Sequence, residues 1–101
     1  MLDDVVRAEL EALPDDMVAR FARIVGLIQA HGLGRVHGPY IDHIQGPLWE
    51  MRLTGKDGIA RAIYVTARGR RVVVVRVFVK KTEKTPNREI RLALQRAKGV
   101  K

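Results

Sequence analysis

Apolar residues recur at helical spacing over the first third of the chain. Residues 3–12 carry a short apolar stripe with acidic residues placed to cap it, and residues 16–30 carry a longer stripe with steps of three and four positions. A Pro-Asp-Asp break at 14–16 separates the two segments, and a glycine at 32 or 34 can end the second one. The pattern predicts two helices that form a helical hairpin.

The hydrophobic period then changes from 3.6 to 2. Glycines and prolines in residues 34–47 predict an irregular connector with room for a short extended piece. Trp49 begins an alternation of apolar and charged residues, which predicts a half-buried strand with Trp49 on its core side. Two more strands are predicted at 59–66 and 71–79, and the nearly unbroken valines of the last one indicate a central strand. Short turns join the three strands into an antiparallel meander.

The C-terminal segment predicts a third helix. Thr85 is placed as its N-cap and Pro86 as its first residue, where a missing N–H costs nothing. Apolar residues at 90, 93, 94 and 97 form one face of this helix. The whole pattern predicts a single α+β domain over residues 1–101, with the N-terminal helical hairpin and the C-terminal helix packed on one face of a small antiparallel sheet.

Charge divides the chain into two unlike halves. Residues 1–51 carry four arginines and eight acids, a net charge of −4, whereas residues 52–101 carry fifteen lysines and arginines against three acids, a net charge of +12. This split is typical of a scaffold joined to a surface that faces a polyanion, although a merely solvated basic surface has the same count. The absence of cysteine excludes disulfides and thiolate metal sites.

The sequence also bears on location. Its longest nearly apolar run, at 72–79, is interrupted by Arg76 and is far shorter than a membrane span. The first four residues are Met-Leu-Asp-Asp, so the N-terminus is acidic, whereas the start of a signal peptide is basic. We therefore expect a cytoplasmic protein that does not contact membranes.

Two blocks of residues resemble one protein family. They are GPLWEMR at 46–52 and FVKKTEKTP at 78–86, and DGIAR at 57–61 supports them. Together the blocks resemble the RelE/ParE toxin superfamily, and most closely the HigB-like, phage-derived branch of type II toxin–antitoxin systems. Members of the superfamily begin with an edge strand before the first helix, whereas this pattern opens at the helix itself. The resemblance implies a RelE-like fold. Either the start of the chain has been trimmed, or the sheet lacks its first edge strand and exposes an edge.

The resemblance also implies a function and partners. Such toxins are mRNA endonucleases associated with translation, and a cognate antitoxin, usually a helix-turn-helix repressor in this branch, holds them inactive. We therefore expect a metal-independent endoribonuclease that needs no cofactor, acts on mRNA at the ribosome and contacts DNA only through the antitoxin complex.

Cleavage of RNA needs little chemical equipment, because the 2′-hydroxyl of the RNA is itself the nucleophile. Positioned cations stabilise the charge that builds on phosphorus. The catalytic candidates are Arg52, Arg61, Lys80, Lys81 and Glu50. The RNA-binding candidates are Lys84, Arg88 and Arg91. The resemblance implies that Arg61 clamps the scissile phosphate, while the last two arginines either extend the RNA track or solvate the helix.

The proton acceptor stays open between Glu50 and a lysine among the crowded cations. Glu50 equally fits an ion pair with Arg52 or Arg61. The three histidines are spaced six residues apart, which is not a metal-ligand spacing, so we expect loop histidines without a catalytic role.

Two aromatic residues have a functional and a packing interpretation. Trp49 can stack on a nucleobase, but its phase in the strand predicts a core position. Tyr64 can donate a proton, but its strand setting favours packing.

Two other functions stay open. The resemblance allows a non-catalytic toxin on the same scaffold, because some relatives in the superfamily act on DNA gyrase. The charge split equally fits a basic module that binds RNA or the ribosome without cleaving it. The cations at positions 61, 80 and 81 favour the nuclease.

Overall fold

The computed structural model describes residues 3–32, 40–67, 71–80 and 84–100. Its elements are α1 (Asp4–Glu11), α2 (Asp15–His31), β1 (Ile41–Gln45), β2 (Leu48–Gly55), β3 (Gly58–Ala67), β4 (Arg71–Lys80) and α3 (Asn87–Ala97). The predicted helices and strands are all present, with ends that differ by one or two residues, and the α+β class is confirmed.

The sheet has four antiparallel strands in the order β1-β2-β3-β4, so the three-stranded prediction is wrong. The additional strand, β1, lies inside the segment predicted as an irregular connector. It is five residues long and pairs with β2, with Ile41 opposite Met51. A strand this short has little periodicity of its own, and its partner in the sheet makes it extended.

Helices cover both faces of the sheet, so the prediction of one covered face is also wrong. On one face, here called the hairpin face, α1 and α2 pack over buried side chains that include Met51 and Tyr64. On the other, the α3 face, α3 packs over Leu48 and Ile63. Successive strand residues point to opposite faces, so the same strands supply both cores.

β4 is an edge strand, although its run of valines predicts a central one. Val74 is buried on the hairpin face and Val75 on the α3 face, because helices lie above and below this edge. A bulge here lets Val74 and Arg76 pair with consecutive residues of β3. The continuous apolar run of β4 therefore indicates burial on both faces of the sheet, and it does not require a neighbouring strand on each side.

Side chains from two helices cover the open edge of β4. Glu9 in α1 accepts a hydrogen bond from the backbone N–H of Val77 at 3.0 Å. Arg96 in α3 donates to the backbone carbonyl of Val75 at 2.9 Å. An edge whose backbone groups are occupied in this way is a poor template for pairing with another chain.

The same two side chains belong to an ionic network that ties α1, β4 and α3 together. Arg76 donates to Glu9 and to Glu89, each at 2.7 Å, and Arg96 donates to Glu9 at 2.9 Å. The hydrogen bond with Glu89 and the interaction with Glu9 raise the pKa of Arg76. The three elements are thus held by charge as well as by apolar contact.

The end of β2 lies against the first turn of α2, and this contact generates a test of the packing. A Cβ on Gly55 would meet the Cγ of Met17 at 2.8 Å, and Met17 is buried. We predict that Gly55→Ala lowers the free energy of unfolding by about 1–3 kcal/mol, because a buried side chain must move. Urea denaturation followed by circular dichroism would measure the change.

Gly26→Ala, inside α2, is the matched control. A Cβ at Gly26 meets nothing within 4 Å. Alanine is favoured over glycine in a helix, so this variant should be more stable by roughly 0.5–1 kcal/mol. Equal stability of Gly55→Ala and the parent chain would contradict the close packing of α2 on the β2–β3 turn.

Candidate functional site

Strand pairing brings four of the predicted site residues to the α3 face. Arg52 in β2 lies directly opposite Arg61 in β3, and Glu50 lies two residues from Arg52 on the same face. Lys80 pairs with Ile59, two residues before Arg61, and so lies on this face at the end of β4. We call Glu50, Arg52, Arg61 and Lys80 the basic site. Like charges directly opposite each other repel, so Arg52 and Arg61 both need neutralising partners.

Glu50 neutralises Arg61 in a buried ion pair. Each side chain is 6% exposed, and the Nη1 of Arg61 donates to the Oε2 of Glu50. The hydroxyl of Thr85 donates to the other oxygen of Glu50 at 3.1 Å. Of the roles left open for Glu50, the structure therefore contains the ion pair with Arg61.

The bond to Glu50 also corrects the prediction for the start of α3. Thr85 does not cap the helix, because Pro86 occupies the N-cap position and makes no side-chain capping bond. Thr85 instead fastens the segment before α3 to the sheet. The Thr-Pro sequence predicts a helix start, but in the folded chain the Thr85 hydroxyl donates to Glu50 on β2.

Asp42 on the edge strand β1 neutralises Arg52. Both side chains of this pair are about two-fifths exposed, at 40% for Arg52 and 42% for Asp42. Among the residues that the structure describes, the buried Nε of Arg52 has no hydrogen-bond acceptor. Exposed ion pairs contribute only about 0–1 kcal/mol, so an incoming phosphate can compete with Asp42 for the guanidinium.

The remaining candidate cations lie around the start of α3 and along it. Lys80 is half-buried at the end of β4, and Lys84 is exposed just before α3. Lys81 lies outside the described residues. Arg88 and Arg91 are exposed on the outer side of α3.

This geometry separates a surface layer from a buried layer. Arg61 is 5% exposed, so a phosphate approaching the basic site meets Arg52, Lys80 and Lys84 first. The oxygens of Glu50 already accept bonds from Arg61 and Thr85, and a proton transfer to Glu50 would have to replace one of them. The surface cations can bind an anion, and the buried pair of Glu50 and Arg61 stabilises the sheet beneath them.

Sequence reasoning missed Asp42 and Thr85 as parts of the site. Asp42 could be found only by recognising β1 as a strand, since the ion pair with Arg52 depends on that pairing. Thr85 lay in the motif but was assigned to helix capping.

Trp49 is 39% exposed, so the prediction of a core position is wrong. Its alternation along β2 places it on the hairpin face, but it lies outside the area that the helices cover. Its ring instead contacts His43 on β1. His43 lies in a strand and His31 ends α2, so the prediction of loop histidines is wrong for these two, and His37 lies outside the described residues.

Tyr64 is 1% exposed in the core under α1 and α2, as its strand setting favours. Burial raises the pKa of its phenol to about 12. A group that holds its proton this firmly is part of the packing and not a proton donor at neutral pH.

In the described part of the chain, no three His, Asp or Glu side chains lie close enough to share a metal ion. None of its helices has the length and apolar character needed to cross a bilayer.

Comparison with known proteins gives one match. The family model described as "Phage derived protein Gp49-like (DUF891)" matches residues 8–98. The matched span includes α2, all four strands, α3 and every candidate site residue. No curated protein matches the chain.

The buried pair generates a prediction for stability. Glu50→Ala should lower the free energy of unfolding by about 3–5 kcal/mol, because it leaves the charge of Arg61 buried without its carboxylate. The double variant Glu50→Leu/Arg61→Met removes both charges and should recover most of this loss. Urea denaturation of the single and double variants forms the double-mutant cycle that measures the coupling.

Asp42→Ala, at the exposed pair with Arg52, is the matched control. It should cost at most about 1 kcal/mol. Losses of equal size for Glu50→Ala and Asp42→Ala would show that the Glu50–Arg61 pair is not buried in solution.

Tyr64 generates a prediction for alkaline pH. Because its pKa is about 12 in the folded chain and 10 when exposed, the unfolded chain loses this proton first, and stability should fall as pH rises from 10 toward about 12. Each pKa unit corresponds to about 1.4 kcal/mol, so the fall should reach roughly 2–3 kcal/mol. Tyr64→Phe should lack this component, as urea denaturation across the pH range would measure. The same pH dependence in both chains would refute the assignment.

Proposed function

The chain belongs to the family of Gp49-like phage derived proteins, which is a RelE/toxin-like family, and from this premise we propose that it is the toxin of a type II toxin–antitoxin system. Within that class we propose an mRNA endoribonuclease of the HigB-like branch, which stops translation by cutting mRNA at the ribosome. One observation carries the nuclease proposal above the others. A buried carboxylate–guanidinium pair lies beneath accessible cations at one end of the α3 face.

The proposed reaction uses the RNA's own nucleophile. The 2′-oxygen attacks the adjacent phosphorus, the bond from phosphorus to the 5′-oxygen breaks, and the products are a 2′,3′-cyclic phosphate and a 5′-hydroxyl. The proton of the 2′-hydroxyl passes to an acceptor, and the 5′-oxygen takes one up. Because the nucleophile comes from the substrate, we propose that the reaction requires neither a metal ion nor a cofactor.

The site residues divide the work by depth. Arg52, Lys80 and Lys84 lie at or near the surface, where they can contact the phosphate and stabilise its added negative charge. Lys81 follows Lys80 in the chain and belongs to the same proposed group. Arg61 contributes a positive charge from below and holds Glu50.

The proton acceptor remains one of two groups in this proposal. A lysine of the surface layer is more accessible to the 2′-hydroxyl than Glu50, whose oxygens are engaged by Arg61 and Thr85. Glu50 would serve only if substrate binding displaced one of these donors.

The toxin-like family implies an antitoxin partner in general. We propose that this partner is a helix-turn-helix repressor, that DNA is contacted only through the complex, and that the toxin acts in the cytoplasm. A partner that presents acidic side chains to the basic site would prevent RNA from binding there.

The test is to express the chain from a tightly controlled promoter and to map mRNA 5′ ends in translating cells. New 5′ ends should appear, and the double variant Lys80→Ala/Lys84→Ala should reduce them strongly, since loss of a charge-stabilising donor costs about 10²–10³ in rate. Arg23→Ala, an exposed cation on α2, is the matched control and should cleave like the parent. Arg61→Ala is less informative here, because it strands the buried Glu50.

Growth arrest without new mRNA ends would overturn the nuclease. A DNA-damage response in those cells would then indicate the gyrase-directed toxin. Tight RNA binding without cleavage or arrest would indicate a simple RNA-binding module.

A further inference from the structure

Trp49 is the exposed member of the five aromatic residues in the chain. The other four are half-buried or buried in the cores. An aromatic side chain of this size buries about 150–250 Å² when it is covered. Trp49 is 39% exposed in the folded chain, so part of its ring is open to a contact from outside.

A second ring holds Trp49 in place. The ring of His43 lies opposite on β1, with its centroid 4.7 Å from that of Trp49 and the two planes tilted by 55°. The Nε2 of His43 lies 2.9 Å from the carbonyl oxygen of Gly46. A carbonyl only accepts, so Nε2 carries the hydrogen and the imidazole is fixed in one orientation. The two rings form a pre-set aromatic surface beside the β1–β2 turn.

Cations lie on the other side of the same turn. A shallow groove separates α3 from Pro47, which is two residues before Trp49. The groove is lined by Pro47, Arg91, Leu94, Gln95, Ala97 and Lys98. It contains two cations and no acid, over a partly apolar floor. Among the described residues, Arg91 and Lys98 have no ion-pair partner, so both are available to an anion.

We propose that the β1–β2 hairpin is a subsite for single-stranded RNA that passes around its turn. A nucleobase stacks on Trp49 beside His43 on the hairpin face, and phosphates farther along the RNA lie beside Arg91 and Lys98 on the α3 side. The choice of RNA rests on the proposed function, and the subsite shows how the substrate is held away from the bond that is cut. Proteins that bind single strands without strict sequence preference combine exposed aromatic rings, which stack on bases, with cations that contact the phosphates.

Charge complementarity favours RNA over a protein at this surface. The one acid of α3, Glu89, is buried and paired with Arg76, so the outward side of α3 is cationic. Around Trp49 the exposed hairpin residues are polar or small, as at His43, Gln45 and Gly46. Among the described residues, a protein partner would find two rings there surrounded by polar and small side chains.

Trp49 is the only tryptophan in the chain, so its fluorescence reports directly on the subsite. Adding a short single-stranded RNA to the purified protein should quench this fluorescence until the site is saturated. Inorganic polyphosphate carries charge without bases, and it should bind the cations without comparable quenching.

Variants separate stacking from charge. Trp49→Ala should weaken RNA binding roughly tenfold in fluorescence anisotropy, whereas Trp49→Phe should keep most of the affinity. Arg91→Ala/Lys98→Ala should weaken RNA and polyphosphate alike and reduce the salt dependence of binding. Val79→Ala removes an exposed apolar side chain from the hairpin face at the opposite edge of the sheet, and it should leave binding unchanged.

RNA binding without quenching, together with parental affinity of Trp49→Ala, would overturn the subsite. So would a Trp49→Ala toxin that binds RNA normally but escapes its cognate antitoxin, since the rings would then be a protein contact. Quenching in a protein that cuts no mRNA would support the subsite while the nuclease proposal failed, so the two proposals fail separately.

Discussion

The carboxylate of Glu50 and the guanidinium of Arg61 lie together beneath the surface of the sheet, and the α3 face is organised around them. Two ions removed from water are stable only when each meets the other and the remaining bonding capacity is filled. Thr85 fills part of it for Glu50, which fixes the chain at the entry to α3. The position of Lys84, next to Thr85, follows from the same contact. The accessible cations are thus placed by a pair that lies deeper than the surface an approaching phosphate meets first.

Other ion pairs join the two halves of the chain at both edges of the sheet. At the β4 edge, Glu9 from the acidic half meets Arg76 and Arg96 from the basic half. At the β1 edge, Asp42 meets Arg52. Part of the charge difference between the two halves of the sequence is therefore used in ion pairs that join these halves in one domain. The cations that an outside anion can reach are those that face outward at the basic site and along α3.

These two uses of charge explain how a small domain can carry a strongly basic surface. The arginines nearest the cores are each matched with an acid, so they stabilise the fold and do not repel one another. The matched layer lies beneath lysines and arginines that face outward, where a polyanion can reach them. Trp49 and His43 add two aromatic rings, tilted against each other, beside the β1–β2 turn.

The sequence by itself determined six of the seven described elements, the α+β class and the list of candidate cations. Helical and strand periodicity are local properties, and charge can be counted. The motif blocks predicted the family as far as its toxin-like character. Tertiary structure decided the rest. β1 is a strand because β2 pairs with it, and the valines of β4 are buried by helices on both faces at an edge. Arg61 is buried because Glu50 on the neighbouring strand neutralises it. Trp49 is exposed because the helices do not cover its end of the sheet. Alternation along a single strand predicts which face a side chain lies on. It predicts neither the area that the helices cover nor the ion-pair partner on another strand.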